Sequence, residues 1–176
     1  MTLSDKARVV GRKEEQLRIR GLTLTAMILT ALLVGAISSP ARSDGPFYLG
    51  TWKLDSAVVA PWADPRQKPD AAAMKALIGK AVTLTPAAIS GPKMFACKGP
   101  HYKVSDFTAD MLFQGAFEEM KNADKSVNPL KLAAALGFTD TAFKTLETGC
   151  DIDWHFVDQA TAEVGLDDYV YTLKKQ

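Results

Sequence analysis

The chain has 176 residues, of which 47% are hydrophobic and 23% are charged, and these are the proportions of a globular protein. They exclude a disordered tail protein, a collagen-like chain and a protein with several membrane spans. The 21 Lys and Arg residues are balanced by 20 Asp and Glu residues, so the composition does not indicate a nucleic-acid partner.

The first 43 residues have the order of a secretory signal, with basic residues spread over residues 1–20 and an apolar stretch over residues 22–37. A membrane-spanning helix needs about 20 predominantly apolar residues, which is more than this stretch offers. Ala41 and Ser43 supply the small side chains that a signal peptidase accepts, so we predict cleavage after Ser43 and a periplasmic or secreted protein. The alternative is that residues 1–43 remain as an N-terminal anchor, the only membrane contact that we expect.

Residues 44–176 are predicted to form the single mature domain. Cleavage leaves 14 basic against 17 acidic residues, a net charge of −3 that disfavours nucleic acid and anionic lipid. The only two cysteines of the chain, Cys97 and Cys150, lie in this domain. Because an exported chain meets oxidising conditions, we predict a disulfide between them. A redox-active or metal-binding thiol pair is the alternative, although neither cysteine lies in a Cys-x-x-Cys motif.

The first half of this domain predicts short strands and one helix. A first strand is indicated by alternation that places Trp52, Leu54, Ser56 and Val58 on one face. Residues 69–78 predict a helix that Gly79 ends. Short strand candidates follow at residues 82–84, 87–89, 94–98 and 101–104, between turns that contain Pro and Gly. Residues 111–120 fit either a helix that Gly115 interrupts or a strand.

The second half predicts a compact helix from Pro129, capped by Gly137, and then a series of strands. In residues 151–156 apolar side chains alternate strictly with polar ones, which predicts a strand with one packed and one wet face. Residues 161–166 and 169–174 predict two more strands. The sequence therefore predicts a mainly β fold, a small antiparallel β-barrel with two or three short accessory helices.

Gly50-Thr51-Trp52 opens the first strand of this exported β domain, and Lys174 lies near the end of the last strand. This pattern resembles the lipocalin or calycin family, in which a Trp closes one end of the barrel and a basic side chain packs across it. The resemblance implies a structural role for Trp52 and Lys174, held together by cation–π attraction. The tryptophan-led strand, the cysteine pair and the Tyr-rich last strand also resemble small periplasmic barrels of the lysozyme-inhibitor type.

The sequence contains no phosphate-binding loop, dinucleotide fingerprint or serine nucleophile elbow. We therefore predict a protein that is not an enzyme, without catalytic residues, cofactor or metal. The alternative is a metal-assisted enzyme that uses Asp151, Asp153 and His155, whose spacing would place three ligands on one strand face. A cluster of His101, the other histidine, with His155 would favour this alternative.

Two binding functions remain open. Five aromatic side chains are candidates to line an apolar cavity: Phe95, Tyr102, Phe113, Phe117 and Trp62. They predict a lipocalin-like binding protein that holds a small apolar ligand or lipid. The alternative is a protein-interaction module, such as an envelope-integrity factor or an inhibitor of a cell-wall-degrading enzyme, with an envelope protein as its partner. An aromatic-lined cavity would favour the carrier, and a filled barrel would favour the interaction module.

Overall fold

A computed structural model describes residues 45–176, so the predicted signal peptide and its cleavage after Ser43 lie outside the described residues. Nine antiparallel strands form one sheet that curls into a half-barrel, and three short helices accompany it, which confirms the predicted mainly β fold. The strands are β1 (Gly50–Val59), β2 (Ala81–Leu84), β3 (Ala88–Ser90), β4 (Cys97–Lys98), β5 (Lys103–Phe107), β6 (Phe143–Glu147), β7 (Trp154–Asp158), β8 (Thr161–Leu166) and β9 (Tyr169–Lys175). The helices are α1 (Ala71–Leu77), α2 (Leu112–Ala123) and α3 (Pro129–Ala135), and a 3-10 turn (Ala109–Met111) precedes α2. Within residues 45–176, no helix has both the length and the apolar character needed to cross a membrane.

The strand order is β4-β3-β2-β1-β9-β8-β7-β6-β5, so the two edge strands, β4 and β5, are consecutive in the chain. Residues 99–102 connect these edges. Here the Tyr102 hydroxyl donates to the carbonyl of Thr85 beyond β2 at 3.0 Å, and the His101 N–H donates to the carbonyl of Thr148 beyond β6 at 2.8 Å. Four residues thus link the two ends of the sheet, which is why the sheet curls.

The strand β1 has the predicted position but not the predicted single face. Its pairing with β9 shifts by one residue between Leu54 and Ser56, which is a β-bulge at Asp55. Trp52 and Leu54 are fully buried, whereas Ser56 and Val58 are exposed. The bulge reverses the alternation, so the prediction that these four side chains share one face was wrong.

The predicted helix after β1 is confirmed as α1. The Asp70 carboxylate accepts from the N–H groups of Ala72 and Ala73 at 2.9 and 3.0 Å and caps the helix. Leu77 packs into the core, and Gly79 adopts a φ of +83° just beyond the helix, where a glycine is favoured.

The sheet is covered on both faces. The inner cluster fills the concave side and consists of Trp52, Leu54, Leu77, Val82, Leu84, Ile89, Phe95, Leu146, Ile152, Trp154, Phe156, Ala162, Val164, Tyr169, Tyr171 and Leu173. The outer cluster lies on the other side, under α2 and α3, and consists of Ala60, Ala109, Leu112, Phe113, Phe117, Ala133, Phe138, Phe143 and Val170. Strands β6 and β7 therefore have no wet face along most of their length.

Because both faces of the sheet are covered, the structure differs from the sequence predictions at two points. His155 was expected on a wet face but is fully buried, and β7 begins only at Trp154, so Asp151 and Asp153 precede the strand. The strand β6 was not predicted, because its side chains face two different cores and show no simple polar and apolar alternation.

The ambiguous segment at residues 111–120 is mostly helical, but it begins with a left-handed turn. Phe113, Gln114 and Gly115 have φ angles of +54°, +56° and +81°. Only Gly115 adopts this conformation without strain, so two non-glycine residues are held there by their surroundings. This turn is the start of α2 and packs on the outer face of the sheet.

Candidate functional site

A row of polar side chains crosses the outer face of six strands. The strand register pairs neighbouring members in the order Ser105, Thr145, His155, Glu163, Thr172 and Ser56. We call these six residues the outer polar row. Its central members Thr145, His155 and Glu163 are buried, with 0%, 0% and 5% of their surface exposed. Buried polar groups require hydrogen-bond partners, and every buried side-chain nitrogen and oxygen of the described residues has one.

His155 connects the row to the left-handed turn. The Phe113 N–H donates to His155 Nε2 at 2.9 Å, so this nitrogen carries no proton. The proton is therefore on Nδ1, which donates to Thr145 Oγ1 at 2.9 Å. Burial lowers the pKa of His155 to about 3, because the charged ring would lose its hydration. The ring is thus a neutral clamp that holds the N–H of a strained residue.

Trp62 closes the same region from the loop after β1. Its ring centroid lies 5.0 Å from that of Phe113 and 6.2 Å from that of Phe117, and its Nε1 donates to the Asp167 carbonyl at 3.1 Å. Gly165 on β8 lies beneath these rings. A Cβ atom there would lie 3.1 Å from Phe113 Cδ1 and 3.2 Å from the Trp62 ring, so only a glycine leaves both aromatic rings their places.

Glu163 lies opposite His155 on the adjacent strand. The Thr172 hydroxyl donates to its carboxyl group, with distances of 3.0 and 3.2 Å to the two oxygens. Burial raises the pKa of Glu163 to about 7, although Thr172 and the positive charge of Lys174 act in the other direction. The row thus contains a buried acid and a buried neutral base, and both are engaged with neighbouring protein groups.

The five predicted ligand-binding aromatics do not line one cavity. Phe95 belongs to the inner cluster and Tyr102 packs against that cluster, whereas Phe113, Phe117 and Trp62 belong to or pack against the outer cluster. The sheet separates the two groups. The structure therefore brings together three of the five residues, on the outer face, and places the other two on the inner face.

The cation over Trp52 is Lys175 and not Lys174. The ammonium of Lys175 lies 5.6 Å from the centroid of the Trp52 ring, and it also donates to the Phe47 carbonyl. Lys174 lies on the outer face and donates to Thr161 Oγ1 at 2.8 Å. Since side chains alternate along a strand, only Lys175 of this pair can share a face with Trp52, whose partner in the register it is.

The alternative metal site is not formed. His155 uses both nitrogens within the protein, while Asp151 and His101 are exposed elsewhere, and Asp153 is half-buried before β7. Burial raises the pKa of Asp153, partly offset by hydrogen bonds from Thr148 and Gln114. Within residues 45–176, no three His, Cys, Asp or Glu side chains cluster in a way that could hold a metal ion.

The predicted disulfide between Cys97 and Cys150 is confirmed. It connects the edge strand β4 to the turn after β6, with a distance of 6.5 Å between the two Cα atoms. The bond therefore ties together the same two ends of the sheet that residues 99–102 connect.

Two of the surface clefts in the described part of the chain have volumes that suit a small ligand. One, of about 580 Å³, lies between the 3-10 turn, the end of α2 and the start of α3. The other, of about 490 Å³, is lined by Phe47, Phe143 and Phe156 together with polar residues of the β6 and β7 ends. Both volumes lie in the range that small ligands occupy.

No protein-family model, curated protein or solved structure matches this chain.

Proposed function

We propose that the mature chain is an exported, non-enzymatic binding protein of the cell envelope that acts as a protein-interaction module. The observation that carries this proposal is the packing inside the curled sheet. The ring centroid of Trp52 lies 5.8 Å from that of Trp154 and 5.7 Å from that of Phe156, and all three side chains are buried. Because these rings occupy the space that a carrier would keep open for its ligand, binding through the outer surface is favoured.

Two further observations support the proposal. The disulfide is compatible with export, because such bonds persist in oxidising compartments such as the periplasm, and the order of charges in residues 1–43 agrees with it. The two buried groups best suited to acid–base chemistry, His155 and Glu163, are bonded to Phe113, Thr145 and Thr172. A catalytic acid or base has to reach a substrate, which supports a non-enzymatic role.

A lipocalin-like carrier of a small apolar ligand or lipid is the second candidate. It is favoured by the 490 Å³ cleft, where three phenylalanines supply apolar surface. A ligand in this cleft would bind at the sheet margin and leave the inner cluster intact.

Native mass spectrometry of the protein, purified from the periplasm of the cell that exports it, separates the two candidates. We expect a bare polypeptide two hydrogens lighter than its reduced mass. An additional mass that disappears on unfolding would contradict this expectation and support the carrier. A fluorescent apolar dye offered to the same sample reports on the cleft independently.

Inhibition of a wall-degrading enzyme can be tested directly. Lysozyme is allowed to hydrolyse purified peptidoglycan with and without the protein, and slower hydrolysis that depends on protein concentration is expected of an inhibitor. An unchanged rate in molar excess would exclude inhibition of this enzyme and leave an envelope-integrity partner as the object of search.

A further inference from the structure

The second half of β1 has a hydrogen-bonding partner on one side only. Pairing with β2 ends at Lys53, and the last bonds on that side join Leu54 to residues 79 and 80. Pairing with β9 continues to Val59. Within residues 45–176 no strand pairs with the other side of residues 57–59, so this segment is an open edge in the middle of the fold.

The register defines which backbone groups point out of this edge. The Ala60 N–H donates to the Asp168 carbonyl at 2.8 Å, so Ala60 and, two residues earlier, Val58 face β9. Ala57 and Val59 therefore direct their N–H and C=O groups away from the sheet. These four groups are the donors and acceptors of an unfinished ladder.

The side chains along the edge are apolar and accessible. Val58 and Val59 have 52% and 55% of their surface exposed, on opposite faces of the strand. No charged residue occurs between Asp55 and Asp64. By contrast, the edge strand β5 carries Lys103 and Asp106, the kind of charge that protects an edge from further pairing.

We propose that this edge pairs with the same edge of a second copy of the chain, in an antiparallel arrangement around a two-fold axis at Val58. Ala57 of each copy would then form a two-way hydrogen-bonded pair with Val59 of the other, which satisfies all four outward groups in each copy. Val58 would lie opposite its own equivalent on the outer face. On the inner face the small Ala57 side chain would lie opposite the larger Val59.

The charge distribution agrees with a second copy as the occupant. In this register Asp55 lies opposite the uncharged Pro61 of the other molecule, so no like charges oppose each other. The two half-barrel sheets would join through β1 into one continuous sheet. This pairing goes beyond the proposed function and does not depend on it.

Analytical ultracentrifugation tests the proposal on protein expressed from the full-length gene and purified as the cell processes it. Between about 1 µM and about 1 mM, the range suited to a small interface, the weight-average mass is expected to rise toward that of a dimer. Val58→Lys is expected to weaken association at least about tenfold, because two lysines would face each other at about 5 Å. Val104→Lys makes the same change at an exposed valine of β5 and is expected to leave association unchanged.

A charge-swap experiment defines the register. Val58→Lys and Val58→Asp are each expected to associate more weakly than the wild type, and their mixture is expected to associate more strongly than either alone because opposite charges then meet across the axis. Circular dichroism checks that both variants remain folded, as substitution at an exposed site allows. A wild-type monomer at every concentration would overturn the proposal, and so would a dimer that neither variant weakens.

Discussion

Glu163 and His155 lie on adjacent strands and titrate with opposite consequences for stability. Glu163 has a pKa of about 7 in the folded protein against 4.5 in the unfolded chain. Between these values the folded state keeps a proton that the unfolded chain has lost, so this group makes the free energy of unfolding decrease as the pH rises. His155 has a pKa of about 3 against 6.5, and its contribution decreases as the pH falls below 6.5. Between pH 4.5 and 6.5 a rise in pH therefore lowers the contribution of Glu163 to the free energy of unfolding and raises that of His155.

Glu163→Gln is expected to remove the pH dependence of stability that Glu163 contributes. Glutamine mimics the protonated acid and can still accept from Thr172, so the variant should match the wild type near pH 4. Above pH 7 it should be more stable by on the order of 3 kcal/mol, because the wild type then holds a buried carboxylate. Urea denaturation at a series of pH values measures this difference. Glu119→Gln, at an exposed position of α2, is the control, and equal pH profiles for the two variants would contradict the prediction.

Gly165→Val is expected to displace the two rings that contact Gly165. The added side chain would meet Phe113 and Trp62 where a Cβ atom already lies within 3.1 and 3.2 Å of them. We expect a loss of about 1 to 3 kcal/mol in the free energy of unfolding and a change in tryptophan fluorescence. Gly45→Val, where no atom lies within 4 Å of the added Cβ, serves as the control. Equal stability of the two variants would show that the rings move aside without loss.

The last two residues of β9, Lys174 and Lys175, lie on opposite faces of the sheet. Lys175 covers the Trp52 ring and donates to the Phe47 carbonyl, whereas Lys174 bonds to Thr161 on the outer face. Lys175→Met is expected to lower the free energy of unfolding by about 1 kcal/mol and to change the near-ultraviolet circular dichroism of Trp52. Lys174→Met is expected to leave that signal unchanged. The reverse result would assign the cation–π contact to Lys174.

The elements that the sequence predicts well are those with clear local signals, such as a helix cap or a regular alternation along a strand. The helix α1 has a capping Asp70 and a terminating Gly79, and β8 and β9 have a simple alternation, so local pattern and final structure agree. The local sequence pattern gives no sign of the bulge at Asp55. The bulge depends on the pairing of β1 with β9, which lies more than a hundred residues away in the sequence. The same is true of the choice between Lys174 and Lys175.

The candidate site was less accessible to sequence reasoning. A polar residue that alternates with apolar ones is ordinarily at a wet face, and His155 and Glu163 both have this pattern. They are buried because α2 and α3, which come from a distant part of the sequence, cover that face. The left-handed turn that His155 binds contains only one glycine, so Phe113 and Gln114 carried no signal for it.

At the scale of the whole molecule, the disulfide between Cys97 and Cys150 joins the two ends of the curled sheet. Cys97→Ser, or reduction of the bond, removes a constraint over 53 residues and is expected to lower the free energy of unfolding by about 4 kcal/mol on the chain-entropy model. The midpoint of urea denaturation measures the effect, and Cys150→Ser should give the same value within error. A much smaller loss in both variants would show that residues 99–102 hold the two edges together without it.

The ends of the described domain meet in the middle of the sheet. β1, the first strand, pairs along most of its length with β9, the last, and the Gln176 N–H donates to the Thr51 carbonyl at 2.9 Å. β1 therefore cannot complete its pairing until β9 has been synthesised, so the centre of the sheet depends on a contact between strands more than a hundred residues apart. Loss of β9 would separate β1 from β8 and so divide the sheet at its centre, whereas loss of β4 or β5 would only remove an edge strand.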